Sequence, residues 1–135
     1  FLAGMGAFGA AHLAYLALLW PLMDAPRLWA LLLLLGFGAV MAGLLWQRAG
    51  ALRGPVLAYV AVILAMGAAA SALPLAQGYG VLILAALLFI TSDTLLATEI
   101  FLLPQTHRLR PILPFLVWPT YWLAQWGFLT GFAMI

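Results

Sequence analysis

Apolar residues along this chain do not alternate with polar ones; they come in long runs. Five segments, about 2–20, 27–47, 55–73, 79–102 and 112–134, are almost wholly apolar or small. Each is near the roughly 20 residues that an α-helix needs to cross a bilayer. The stretches between them, "PLMDAPR", "QRAGALRGP", "PLAQG" and "PQTHRLRP", carry the Pro, Gly and Arg that end helices. Only helices and closed barrels satisfy their backbone in lipid, and the period-two pattern of a barrel strand is missing. The pattern predicts an all-α fold: a polytopic transmembrane helix bundle of five spans, running up and down through short loops. Residues 1–135 read as a single transmembrane helical domain.

Composition strengthens this picture. Of 135 residues 68% are hydrophobic and 6% charged, more apolar surface than a soluble domain of this size can hide. The absence of Cys excludes disulfides and thiolate metal sites. All five basic residues are Arg, too few and too scattered for a nucleic-acid groove. Arg48 and Arg53 follow the second span, Arg108 and Arg110 follow the fourth, and Arg27 sits alone on the other side. The positive-inside rule puts the four-arginine side in the cytoplasm. Small residues repeat every fourth position at Gly6, Ala10 and Ala14, at Ala3, Ala7 and Ala11, and at Ala39 and Gly43, the spacing of close helix packing. Asp24 is placed to cap the second helix, with Pro26 in its first turn.

The polar residues inside the spans are the informative ones. Measured from the arginine-rich face at 1.5 Å per residue, His12 is roughly 15 Å deep, Asp93 and Tyr121 roughly 14 Å, and Gln125 near 20 Å. His12 and Tyr15 share one helix face, as do Tyr121 and Gln125. Three helices thus bring polar groups to a similar level, which implies one buried polar cavity. Asp93 weighs most, because an ionisable group within a span is costly and marks function by default. Glu99 points elsewhere, near the interface. His107 falls in a loop near the headgroups. Trp118, Trp122 and Trp126 form a stripe that suits lipid or packing.

Several chemistries fit poorly. The chain has two serines, Ser71 and Ser92, and no G-x-S-x-G elbow. Its two histidines lie 95 residues apart and cannot supply a catalytic zinc site. No Gly-rich phosphate loop is present. General acid–base chemistry remains, since an apolar surround favours a neutral carboxyl able to donate a proton. Proton or ion transport uses the same kind of residue. The residues leave both open.

Three segments, "FGAAHLAYL", "LLFITSDTLLATEIF" and "TYWLAQWGF", resemble in the same order the signature elements of the YhhN family of integral membrane lysoplasmalogenases. That family carries an H-x-x-Y, an S-D-x-x-L-A and a Y-[YW]-x-A-Q element. His12 and Tyr15 match the first, Ser92, Asp93, Leu96 and Ala97 the second, and Tyr121, Ala124 and Gln125 the third. The resemblance implies an eight-helix protein of which this chain, opening on Phe1, is the last five helices. A second carboxylate would come from the helices ahead. It also implies hydrolysis of the vinyl ether bond of a lysophospholipid, giving fatty aldehyde and glycerophosphocholine or glycerophosphoethanolamine, with no metal or other cofactor. Asp93 and His12 would be catalytic. Tyr15, Ser92, Tyr121 and Gln125 would bind substrate or water, and Arg108 and Arg110 would meet the phosphate or serve topology alone. The expected partners are the lysophospholipid and the bilayer, not nucleic acid, and the expected location is a bacterial inner membrane. A small proton-coupled transporter and a noncatalytic lipid-binding bundle are the competing readings.

Overall fold

The computed structural model describes residues 2–135, and among them there are helices and no strand. The helices are α1 (Leu2–Leu19), α2 (Leu28–Arg48), α3 (Arg53–Ser71), α4 (Gly80–Ala97) and α5 (Pro114–Ala133). Short 3-10 turns follow α1 and precede α3 and α4, and a π-helical turn, Thr98–Leu102, extends α4. The five expected helices are all present. Leu2–Leu22, Leu28–Arg48, Gly50–Ser71 and Gly80–Leu102 are long and apolar enough to cross a membrane. The 20-residue α5 has the length as well, but Trp118, Tyr121, Trp122, Gln125 and Trp126 lower its hydropathy. The chain forms two compact units, Phe1–Pro74 and Leu75–Ile135.

In the first unit α1 and α2 both pack on α3. Lipid gives helices no hydrophobic reason to associate, so close van der Waals fit must do it. The buried α3 face is Val56, Ile63, Met66, Gly67, Ala69 and Ala70. Gly38 of α2 receives the Leu64 side chain where a Cβ would stand. The four-residue stripes of small residues do not form this seam. Gly6, Ala10, Ala14, Ala39 and Gly43 are exposed, and Gly6, Gly36 and Gly43 have open space beside them. The seam instead sets a large side chain into the gap at a glycine, a pairing that a same-helix spacing rule cannot reveal.

Asp24 does not cap α2. The capping position is Arg27, no side chain bonds the first turn, and Pro26 lies ahead of the helix. The Asp24 N–H instead donates to the Ala72 carbonyl at 2.9 Å, and the Arg27 guanidinium donates to Ser71 O at 2.5 Å and Leu73 O at 2.9 Å. The last carbonyls of a helix lack internal partners and carry its negative pole, so a forked cation suits the end of α3. Arg27 is thus a structural cap as well as a topology charge. Arg27→Met keeps the stem but removes these donors. It is expected to lower stability by about 1–3 kcal/mol, read as a drop in Tm in detergent.

In the second unit α4 and α5 run antiparallel. A Cβ on Gly127 would stand 2.9 Å from Ala85 Cβ, and one on Gly131 would stand 2.8 Å from Leu82 Cγ, so the helices meet at near-backbone distance. Phe89, Phe128, Ala85, Ala86 and Ala124 fill the seam. Pro104, Pro111 and Pro114 keep residues 103–113 in turns rather than a helix. Arg110 closes this segment by donating to Glu99 O at 2.7 Å and Leu103 O at 3.1 Å. Gly127→Val is expected to cost about 1–3 kcal/mol by overpacking, while Gly36→Ala is expected to cost nothing measurable. Denaturant titration of both variants checks the contrast.

Candidate functional site

Threonine hydroxyls in α4 are satisfied within the helix. Thr91, Thr94 and Thr98 donate to Leu87 O, Ile90 O and Thr94 O at 2.8, 2.7 and 2.7 Å. Such back-bonding makes a hydroxyl inexpensive in lipid and leaves it little to offer a ligand. Ser92 differs: it is buried, and its Oγ donates across to Val117 O of α5 at 3.1 Å. Asp93, next to it, is buried at 8% exposure within the α-helical part of α4.

The partner wall on α5 is aromatic and polar. Gln125 Nε2 donates to the Tyr121 hydroxyl at 3.2 Å, so this pair shares a face as its spacing requires. The Tyr121 ring meets Phe89 edge-on at 5.6 Å, with Trp118 at 6.2 Å and Trp122 at 5.9 Å around it. Phe89 lies one turn before Asp93 on the same face of α4. Asp93 is therefore near the level of Val117, and Tyr121 is about one turn, roughly 5 Å, further along. Counting from helix ends put the two at one level. The offset arises because α5 begins alongside α4 rather than at its end.

His12 and Tyr15 belong to the first unit. His12 is fully buried, and its Nδ1 lies 2.7 Å from the Phe8 carbonyl, one turn back. A carbonyl can only accept, so Nδ1 carries a proton and donates it to Phe8 O. Tyr15 is half-buried one turn onward. The structure thus gathers Ser92, Asp93, Tyr121 and Gln125 in one unit and His12 with Tyr15 in the other.

Two residues escaped the sequence reading. Tyr59 of α3 sets its ring edge-to-face against His12 at 5.5 Å and 78°. Phe89 joins the Asp93 face to Tyr121. The signal for Tyr59 was available, since a tyrosine inside a span has the same character as Tyr15. Phe89 was indistinguishable from its apolar neighbours. Of the residues set aside, Trp118, Trp122 and Trp126 are exposed on α5, and Glu99 is half-buried in the π-helical turn. His107 accepts the Leu109 N–H at 3.2 Å within its loop. The Arg110 guanidinium is engaged with carbonyls while Arg108 is exposed. Among the described residues no three His, Asp or Glu side chains gather as metal ligands.

The Ser92 tether has a measurable consequence. Ser92→Ala is expected to cost about 1 kcal/mol and to speed amide hydrogen exchange in the first turns of α5, where Pro119 already interrupts the backbone ladder.

No curated protein and no solved structure gives a significant match to the chain. The sequence profile of the YhhN family matches residues 1–132, nearly the whole length. The three signature segments, the buried Asp93 and the helical fold all lie within that match, and the chain belongs to the YhhN family.

Proposed function

We propose that this membrane protein of the YhhN family hydrolyses the vinyl ether bond of a lysophospholipid by general acid catalysis from Asp93. The observation that carries the reading is the buried Asp93 carboxyl, set on the α4 face of Phe89, whose ring meets the Tyr121–Gln125 pair. Vinyl ethers resist base and yield to acid, so the chemistry needs a proton donor held against the double bond.

The steps follow from that group. Asp93 gives its proton to the β-carbon of the double bond, and the α-carbon becomes an oxocarbenium ion stabilised by its oxygen. Water adds to the α-carbon and returns a proton to the carboxylate. The hemiacetal then collapses: the carboxyl gives its proton to the glycerol oxygen, the bond between that oxygen and the α-carbon breaks, and the hydroxyl proton returns to the carboxylate as the aldehyde carbonyl forms. One water is consumed, and one fatty aldehyde and one glycerophospho-alcohol form. In this reading Tyr121 and Gln125 orient water or glycerol oxygens near the acid. His12, the other residue proposed to be catalytic, belongs to the first unit, where its Nδ1–H is held by the Phe8 carbonyl. Tyr15 bears on the substrate beside His12, and Ser92 acts by fixing α5 against α4 rather than by touching substrate. The exposed Arg108 is the loop cation available to a phosphate.

Asp93→Asn keeps the shape and removes the acid. With a lysoplasmalogen in detergent, the wild-type full chain is expected to release fatty aldehyde. The variant is expected to lose at least about 100-fold in turnover while remaining folded. Full turnover in the variant overturns the acid role. A folded wild type that makes no aldehyde but accumulates a solute in vesicles would favour a proton-coupled carrier instead.

A further inference from the structure

The turn between α2 and α3 holds an aromatic–cation pair that the proposed chemistry does not use. Trp46 stands in the last turn of α2, two residues before Arg48, and is 51% exposed. Arg53 opens α3 and is exposed. Gly50, at φ +55, takes a left-handed conformation that side chains disfavour, and the chain reverses there within the short turn Gly50–Leu52. The reversal sets the Arg53 guanidinium carbon over the Trp46 ring, 5.3 Å from its centroid. That lies within the reach of a cation–π contact.

Two features say what chemistry faces this pair. The first is charge. Arg48 and Arg53 bring two positive charges to one turn, and residues 25–92 contain no Asp or Glu. Among the described residues none accepts a hydrogen bond from the Arg53 guanidinium or forms an ion pair with it. An aromatic face attracts the charge but takes up none of the guanidinium's edge donors, so these remain available to an anion from outside the chain. The second feature is level. An indole with one apolar side and one wet end belongs where hydrocarbon meets headgroups. Trp46 sits at the arginine-bearing end of its span, so a guanidinium resting on it is held at headgroup level. The anion of that level is lipid phosphate, whose oxygens suit the paired donors of arginine.

We propose that Arg53, held over Trp46, binds the phosphate of an anionic phospholipid at the rim of α2 and α3. A lipid of net negative charge is favoured over a zwitterionic one, because this segment offers no carboxylate to a headgroup ammonium. The site is built from the first unit alone and is independent of the reaction at Asp93.

Native mass spectrometry of the full chain released from nanodiscs tests the assignment. The nanodiscs hold phosphatidylcholine with or without phosphatidylglycerol of the same acyl chains. The wild type is expected to retain one phosphatidylglycerol in preference to phosphatidylcholine. Arg53→Gln is expected to weaken that retention about fivefold, the worth of one arginine at an anionic surface. Trp46→Leu keeps the charges and removes the ring face, with an expected loss of about two- to fivefold. It also decides the question if Arg53→Gln does not fold. Arg53→Gln joined to Gln105→Arg restores the net charge at another exposed loop position and is expected to stay as weak as Arg53→Gln. The proposal is overturned if the wild type shows no preference for phosphatidylglycerol, if the charge-restored variant recovers it, or if Trp46→Leu retains lipid like the wild type. Displacement of the lipid by an excess of free glycerophosphate would overturn the lipid assignment and give the site to a soluble phosphate.

Discussion

A polar group in hydrocarbon that lacks a partner costs several kcal/mol, and this constraint orders the whole chain. Backbone groups meet it by forming helices. Threonine hydroxyls meet it by bonding to their own helix, as Thr91, Thr94, Thr98, Thr120 and Thr130 do. The ends of helices meet it through arginine: Arg27 closes α3 and Arg110 closes the π-helical turn after α4. Against that background the buried Asp93 of α4 is an ionisable group within a span, a feature that points to function by default.

The surroundings of Asp93 follow from packing in the second unit. Gly127 and Gly131 let α5 approach Ala85 and Leu82. That approach brings Tyr121 against Phe89 and places the Ser92 hydroxyl on Val117 O. Pro119 removes the backbone donor to the Phe115 carbonyl, and the hydroxyls of Ser92 and Thr120 both donate to Val117 O. Site and seam are therefore one construction in this unit. In the first unit the same economy holds His12 between its own helix and α3.

The spans were legible because twenty-residue apolar runs with Pro and Arg between them admit few other folds. The polar side chains in mid-span were legible for the same reason, as exceptions in an apolar field. What one helix's sequence cannot state is its neighbour. The stripes at Gly6, Ala10 and Ala14 looked like packing faces, yet the seams form at Gly38, Gly127 and Gly131, where a large side chain or a methyl from another helix fits. Asp24 suited a cap by residue type, but its backbone was drawn to Ala72 and the neighbouring Arg27 to the end of α3. The depth of Tyr121 was misjudged by a turn, because proline-rich residues 103–113 fold back in turns before α5 starts.

In the proposed hydrolysis a proton moves from Asp93 to a carbon atom. Running the hydrolysis in D₂O and trapping the aldehyde at once by reduction, then weighing the product, tests this most directly. The account predicts one deuterium on the carbon next to the former carbonyl in each product molecule. Aldehyde released without deuterium at that carbon would contradict it.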